Sequence, residues 1–276
     1  MPEPDAPTPL DPLNLVARGR RVLRIGYRAS GRGIIEFYRS SNLTFASSIA
    51  YYSLLSVFPF TLLVGGLFAR IAGDERQDAL VALIGRALPS QFDFLTNAVR
   101  DLGHTSLRFS VVGTLLALWA SMGVFGAVTS AVNHAWGVES PYGYFKHKLI
   151  AFVMMIAAGV LLMTVLLVAG ATDVVGDAAL APAFILVSGL IYYFAPNTTV
   201  RLRDVWFGAV LAGLLWRAAF AGFAWYLRAF SRVTLPGSVG TVIAFLVWIY
   251  LSAVILLYGV EVTASYARLR KAEENG

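Results

Sequence analysis

No cysteine occurs anywhere in this sequence, which excludes a disulfide framework, a thiolate metal site and a cysteine nucleophile. Histidine is almost as scarce. His104, His134 and His147 are the full set, too few and too scattered to build a metal centre, and no cofactor is implied. Charge is the most telling shortage. Charged side chains make up 14% of the 276 residues and hydrophobic ones 58%, against about 25% and about 45–50% in a soluble domain. Such a chain cannot coat a water-facing surface, and lipid is the solvent it fits. An internal repeat is also missing. The first and second halves do not align, so the inverted repeats of many secondary transporters are not signalled. A signal peptide is missing too: MPEPDAPTPLDP is acidic and proline-rich with no apolar core. Residues 1–14 are expected to be a disordered cytoplasmic tail, leaving the first span to direct insertion.

What is present is a series of apolar runs. A hydrocarbon core about 30 Å thick needs roughly 20 apolar residues in a helix. Segments 42–69, 109–136, 149–171, 178–195, 205–227 and 238–260 meet or approach that length. The fourth is short for a perpendicular span. The fifth contains one charge, Arg217, and the sixth stops at Glu261. Lipid offers no partner for unpaired backbone groups, so the spans are expected to be helices. The fold class is therefore all-α, a polytopic membrane bundle of about six spans over residues 42–265, with a short cytoplasmic tail at 266–276.

Charge sets the orientation. With the N-terminus in the cytoplasm, 14 Lys and Arg fall on inside segments and 7 on outside ones, which favours both ends inside. The net charge of +6 is explained by topology before nucleic acid need be invoked. Residues 15–39 carry seven arginines (Arg18 to Arg39) among regularly spaced apolar residues. They predict a basic helix on the inner leaflet binding anionic lipid, or a plain positive-inside flank. The external loop 70–108 is too long for a simple connection, and its periodicity predicts short amphipathic helices.

Three groups of residues are candidates for function. A charge in mid-membrane is rare and expected to face the bundle interior. Arg217 lies about 18 Å into its span, at a depth similar to Ser53 and Ser56 in the first. Pro59 there leaves the Leu55 carbonyl without its usual donor. Arg217 either ties a kinked helix to the bundle or forms an anion or substrate site. Asn133, His134, Tyr192, Asn197 and Glu261 sit at cytoplasmic span ends, where they form either a polar inner mouth or ordinary boundary residues. Gly237, Ser238 and Gly240, in LPGSVGT, make either a tight external turn or an anion site at a helix N-terminus. Gly123, Ala127 and Ala131 form a small-residue row suited to close helix packing.

The motifs LTFASSIAYYSLLSVFPFTLL, AVNHAWGV, YYFAPN, WFGAVLAGLLW and PGSVGTVIAFLVWIYLSAVILLYGVEVTASY resemble the YihY/BrkB family of bacterial inner-membrane proteins. The likeness covers about residues 35–268. It implies a polytopic inner-membrane protein, and carries both a link by name to serum resistance and an old ribonuclease label; it supplies no catalytic residues. The expected function is transport or handling of an envelope lipid or other anionic amphiphile. A non-transporting scaffold for envelope partners is the alternative. A ribonuclease is less favoured, because metal-dependent RNA cleavage needs clustered carboxylates or histidines that no cytoplasmic segment contains.

Overall fold

A computed structural model describes residues 12–56, 111–138, 180–230 and 238–275, with residues 149, 152, 153, 156 and 160 between them. Among these, every regular element is a helix. They are α1 (Pro12–Arg39), α2 (residues 42–56), α3 (Val111–Ala135), α4 (Leu180–Phe194), α5 (Leu202–Phe230) and α6 (Ser238–Glu274). The five separate residues are helical as well. The all-helical expectation holds. Two of the helices, over Leu202–Ala229 and Val242–Glu274, are long and apolar enough to cross a membrane. The 15 residues of α4 reach only about 22 Å. Pro59, Gly237, residues 1–11 and the expected amphipathic helices of 70–108 lie outside the described residues.

The helices pack in antiparallel neighbours. Along α1, Arg21, Gly33 and Phe37 meet Glu273, Val262 and Tyr258 of α6 in turn. Along α2, Phe45 lies against His134 and Tyr52 against Gly123 of α3. Phe184 and Gly189 of α4 meet Trp216 and Ala209 of α5. Asp204, Gly208 and Phe223 of α5 meet Arg270, Thr263 and Trp248 of α6. One end of the bundle therefore gathers the starts of α2 and α5, the ends of α1, α3 and α4, and the last third of α6. That is the arrangement that successive crossings in alternating directions require.

The α5–α6 crossing is close because small residues face each other. A Cβ on Gly208 would strike Thr263 Oγ1 and come within 2.5 Å of the Gly259 carbonyl oxygen, and one on Gly259 would strike the Tyr192 hydroxyl and Ala212. In lipid, where helices gain little from hiding apolar surface, such contact supplies dispersion energy. At the opposite end the same pair is held by rings. Trp248 lies 5.8 Å from Trp216, 5.6 Å from Phe220 and 5.3 Å from Phe223 between centroids.

Two elements differ from the sequence reading. The apolar run stops at Glu261, but α6 continues to Glu274, so the expected tail 266–276 is largely helix. Residues 261–274 contain no glycine or proline and are rich in helix formers. They are also enclosed: all nine residues from 259 to 267 are buried. The second difference concerns α1. The basic helix exists, but it does not stand apart from the bundle. Ile25, Gly26, Ala29, Gly33 and Phe37 are buried, and this stripe docks along the last third of α6.

Candidate functional site

The gathered end of the bundle is where polar side chains meet. Its centre is Glu261, 1% exposed in the fully packed part of α6. Asn42, 0% exposed, opens α2 after the Ser40–Ser41 turn and donates from Nδ2 to Glu261 Oε1 at 2.8 Å. Among the described residues no cation lies within ion-pair distance of Glu261. Arg268, two turns on along the same face, donates instead to the Ala135 carbonyl at 2.7 Å.

Asn133 joins α3 to the α4–α5 connection. Gly137, with φ +68°, ends α3 in a reversal in which the N–H groups of Gly137 and Val138 donate to the carbonyls of His134 and Asn133. The Asn133 side chain is then free to reach across. Its Oδ1 accepts from the Asn197 backbone N–H at 2.7 Å, and its Nδ2 donates to the carbonyls of Thr129 at 2.9 Å and Ala195 at 3.4 Å. Tyr192 donates to the Leu256 carbonyl at 2.7 Å, fastening α4 to α6.

A third connection was not visible in the sequence. Asp204, in the first turn of α5, faces Arg270 through two contacts, Oδ1 to Nε at 2.7 Å and Oδ2 to Nη2 at 3.1 Å. Both side chains are buried. Of the two contacts only Nη2–Oδ2 has hydrogen-bond geometry, and the Nε–Oδ1 approach is a close ion-pair contact. Arg270 also reaches Glu274 at 2.9 Å. On the outer side Glu273 receives Arg21 at 2.7 Å and Arg24 at 3.6 Å from α1.

Of the expected inner mouth, the structure thus brings Asn133, Tyr192, Asn197 and Glu261 to one end and ties all four into contacts between elements. His134 is not among them. It is exposed, about 100° round α3 from Asn133, and lies 5.5 Å from the Phe45 ring of α2. Ser56 is buried and donates to the Ser53 carbonyl at 3.2 Å, a bond within α2. Gly240 is buried in the first turn of α6, where Ser238 opens the helix.

Arg217 is not where the sequence reading placed it. The buried face of α5 is Val205, Ala209, Ala212, Trp216, Phe223 and Leu227. Arg217 is one position, or about 100°, further round and exposed, in company with exposed Leu214 and Leu215. Helical spacing carries part of this, since Arg217 lies about 100° from Trp216 and about 140° from Ala212.

The described residues contain no group of three or more His, Cys, Asp or Glu that could hold a metal ion. What the junction does is lock helix ends together.

Comparison with known proteins now adds a family. The ribonuclease-like protein YfkH of Bacillus subtilis is 27% identical over 250 residues, covering 82% of this chain and 90% of that protein. A UPF0761 membrane protein of Chromohalobacter salexigens is 28% identical over 273 residues, covering 92% of this chain and 67% of the relative. A UPF0761 membrane protein of Cronobacter sakazakii is 27% identical over 250 residues, covering 83% and 86%. No solved structure matches. The family model described as Virulence factor BrkB matches residues 35–276, from the end of α1 through the whole of the junction, and the chain is a membrane protein belonging to that family.

Proposed function

We propose that this protein crosses the bacterial inner membrane about six times with both ends cytoplasmic, and that it transports or handles an envelope lipid or other anionic amphiphile. The observation that carries the reading is a spacing on α5. Trp206 and Trp225 are 44% and 68% exposed and 19 residues apart, about 28 Å along a helix. That is close to the thickness of a hydrocarbon core, and exposed tryptophans mark its two boundaries. Arg217 stands between them, exposed among apolar residues. A guanidinium at that depth costs at least about 2.5–3.5 kcal/mol unless a polar group meets it, and an anionic headgroup moving along the flank of α5 is such a group.

The outer faces of the helices agree with lipid contact. Leu214, Val242, Ile243 and Val247 are exposed on α5 and α6, and Leu149, Val153, Ile156 and Val160 form an exposed stripe at helical spacing. The cytoplasmic placement of the polar junction rests on the excess of cations in the segments that meet there. RNA cleavage has the YfkH name behind it and no observation among the described residues.

The test is headgroup movement in liposomes. Purified protein is reconstituted with a trace of fluorescent phosphatidylglycerol, and the fraction bleached by an impermeant reductant is followed in time. The wild-type chain is expected to raise the bleached fraction above the half reached by protein-free vesicles. Arg217→Leu should abolish the increase and Arg217→Lys keep part of it, because an ammonium retains the charge without the planar fork. Wild-type protein indistinguishable from empty vesicles would remove lipid movement and leave the scaffold reading.

A further inference from the structure

Helix α1 has three faces. One is docked on α6. The second bears Leu23, Tyr27, Ile34 and Tyr38, all exposed and spaced as one stripe. The third bears Arg21, Arg24, Arg28 and Arg32, also exposed and three or four residues apart. The arginines divide in two. Arg21 and Arg24 are held by Glu273. Arg28 and Arg32 have no acidic partner among the described residues.

Those two arginines line a cleft of about 640 Å³ between α1 and α6, with Tyr27, Ser30, Gly31, Ile34 and Leu269. Its floor is rigid. The Tyr258 hydroxyl donates to the Ser30 carbonyl at 3.1 Å, and Ser30 Oγ donates to the Gly26 carbonyl at 3.0 Å. It opens at Gly31, where an added Cβ would meet nothing within 4 Å.

The helix register gives the cleft its level. Phe207 stacks on Tyr266 at 5.7 Å, and Asp204 holds Arg270. The cleft at Leu269 is therefore level with the first turn of α5, where exposed Trp206 marks the boundary between headgroups and acyl chains. Because α1 runs antiparallel to α6, Ile34 and Tyr38 lie further along toward the apolar part of the bundle than Arg28 and Arg32. Two unpaired guanidiniums at headgroup level with an exposed apolar stripe leading inward complement a phospholipid, phosphate outside and chain inside.

We infer that the α1–α6 cleft is a binding site for one anionic phospholipid of the cytoplasmic leaflet, its phosphate between Arg28 and Arg32 and an acyl chain along Ile34 and Tyr38. This inference rests on the proposed membrane placement but not on lipid movement. The site lies along the second half of α1 and does not include Arg217, and its occupant would clamp α1 against α6.

The experiment uses the full chain in detergent micelles. Native mass spectrometry counts retained lipid after addition of phosphatidylglycerol or phosphatidylcholine. The wild-type chain is expected to retain one phosphatidylglycerol in preference to phosphatidylcholine. The Arg28→Gln, Arg32→Gln double variant should weaken retention about thirtyfold. Gly31→Leu, which fills the cleft with a residue that favours helix, should do the same without lowering thermal stability. Equal retention by wild type and both variants would overturn the site. Displacement by glycerol 3-phosphate at the same concentration as phosphatidylglycerol would show a soluble phosphate to be the ligand, and would overturn the lipid. Selective retention by a chain that moves no lipid in vesicles supports the site and counts only against the transport reading.

Discussion

The two ends of the α5–α6 pair are held by different chemistry. At the junction end the helices touch through Gly208, Gly259 and Thr263, and are fastened by the Asp204–Arg270 pair. At the far end they are spaced by Trp216, Phe220, Phe223 and Trp248. Packing rings against rings gains less in lipid than in water, since a lipid chain is as apolar as a side chain. A buried ion pair has only one satisfied arrangement, and it loses most when one partner is removed. The difference teaches that the junction fixes which helix ends meet, while the aromatic end tolerates rearrangement.

The comparison can be broken by substitutions measured as thermal stability in detergent. The largest loss should come from Asp204→Ala, about 3 kcal/mol, because buried Arg270 is left with only the more exposed Glu274 as an acidic partner. Trp248→Ala should cost less than the roughly 3–5 kcal/mol typical of a water-soluble core, since lipid can refill the space. If it costs more than Asp204→Ala, the aromatic end dominates and the comparison is reversed. Asn42→Ala should cost about 1–3 kcal/mol by removing the donor to Glu261. The smallest effect belongs to Arg24→Gln, under about 1 kcal/mol, because its pair with Glu273 is exposed and its distance long. That effect should vanish in high salt, whereas the loss at Asp204 should persist.

Within the junction, two buried acids make the same contrast on a smaller scale. Asp204 meets a guanidinium, and Glu261 meets an amide. Neither partner was legible in the sequence, because Asn42 and Glu261 are separated by 219 residues and Asp204 and Arg270 by 66. Hydropathy locates helices but carries no information on which ends touch. It did locate α3, α4 and α5 to within a few residues of their observed bounds, since long apolar runs in lipid have no other form. It stopped short at the end of α6, where residues 261–274 are polar enough to read as a tail and continue the helix between α1 and α5. Nor did it give the direction of Arg217, which is exposed on α5 although a lone charge was expected to turn inward. The packed face of α5 runs through Ala209, Ala212 and Trp216, and Arg217 is exposed beside it. The basic segment was legible as a helix, and its third face was not, because the docking stripe of Ile25, Ala29 and Gly33 is only defined by what it meets.

The account stands on the junction being the cytoplasmic end of a bundle that spans the membrane. The absence of cysteine makes this measurable without altering the background. Single variants Ala272→Cys, beside the junction, and Ala229→Cys, at the far end of α5, both replace exposed residues. Each is treated with an impermeant maleimide in right-side-out and in inverted membrane vesicles. Ala272→Cys should label only in inverted vesicles and Ala229→Cys only in right-side-out ones. Labelling of both from the same side, or in the opposite order, would contradict the account.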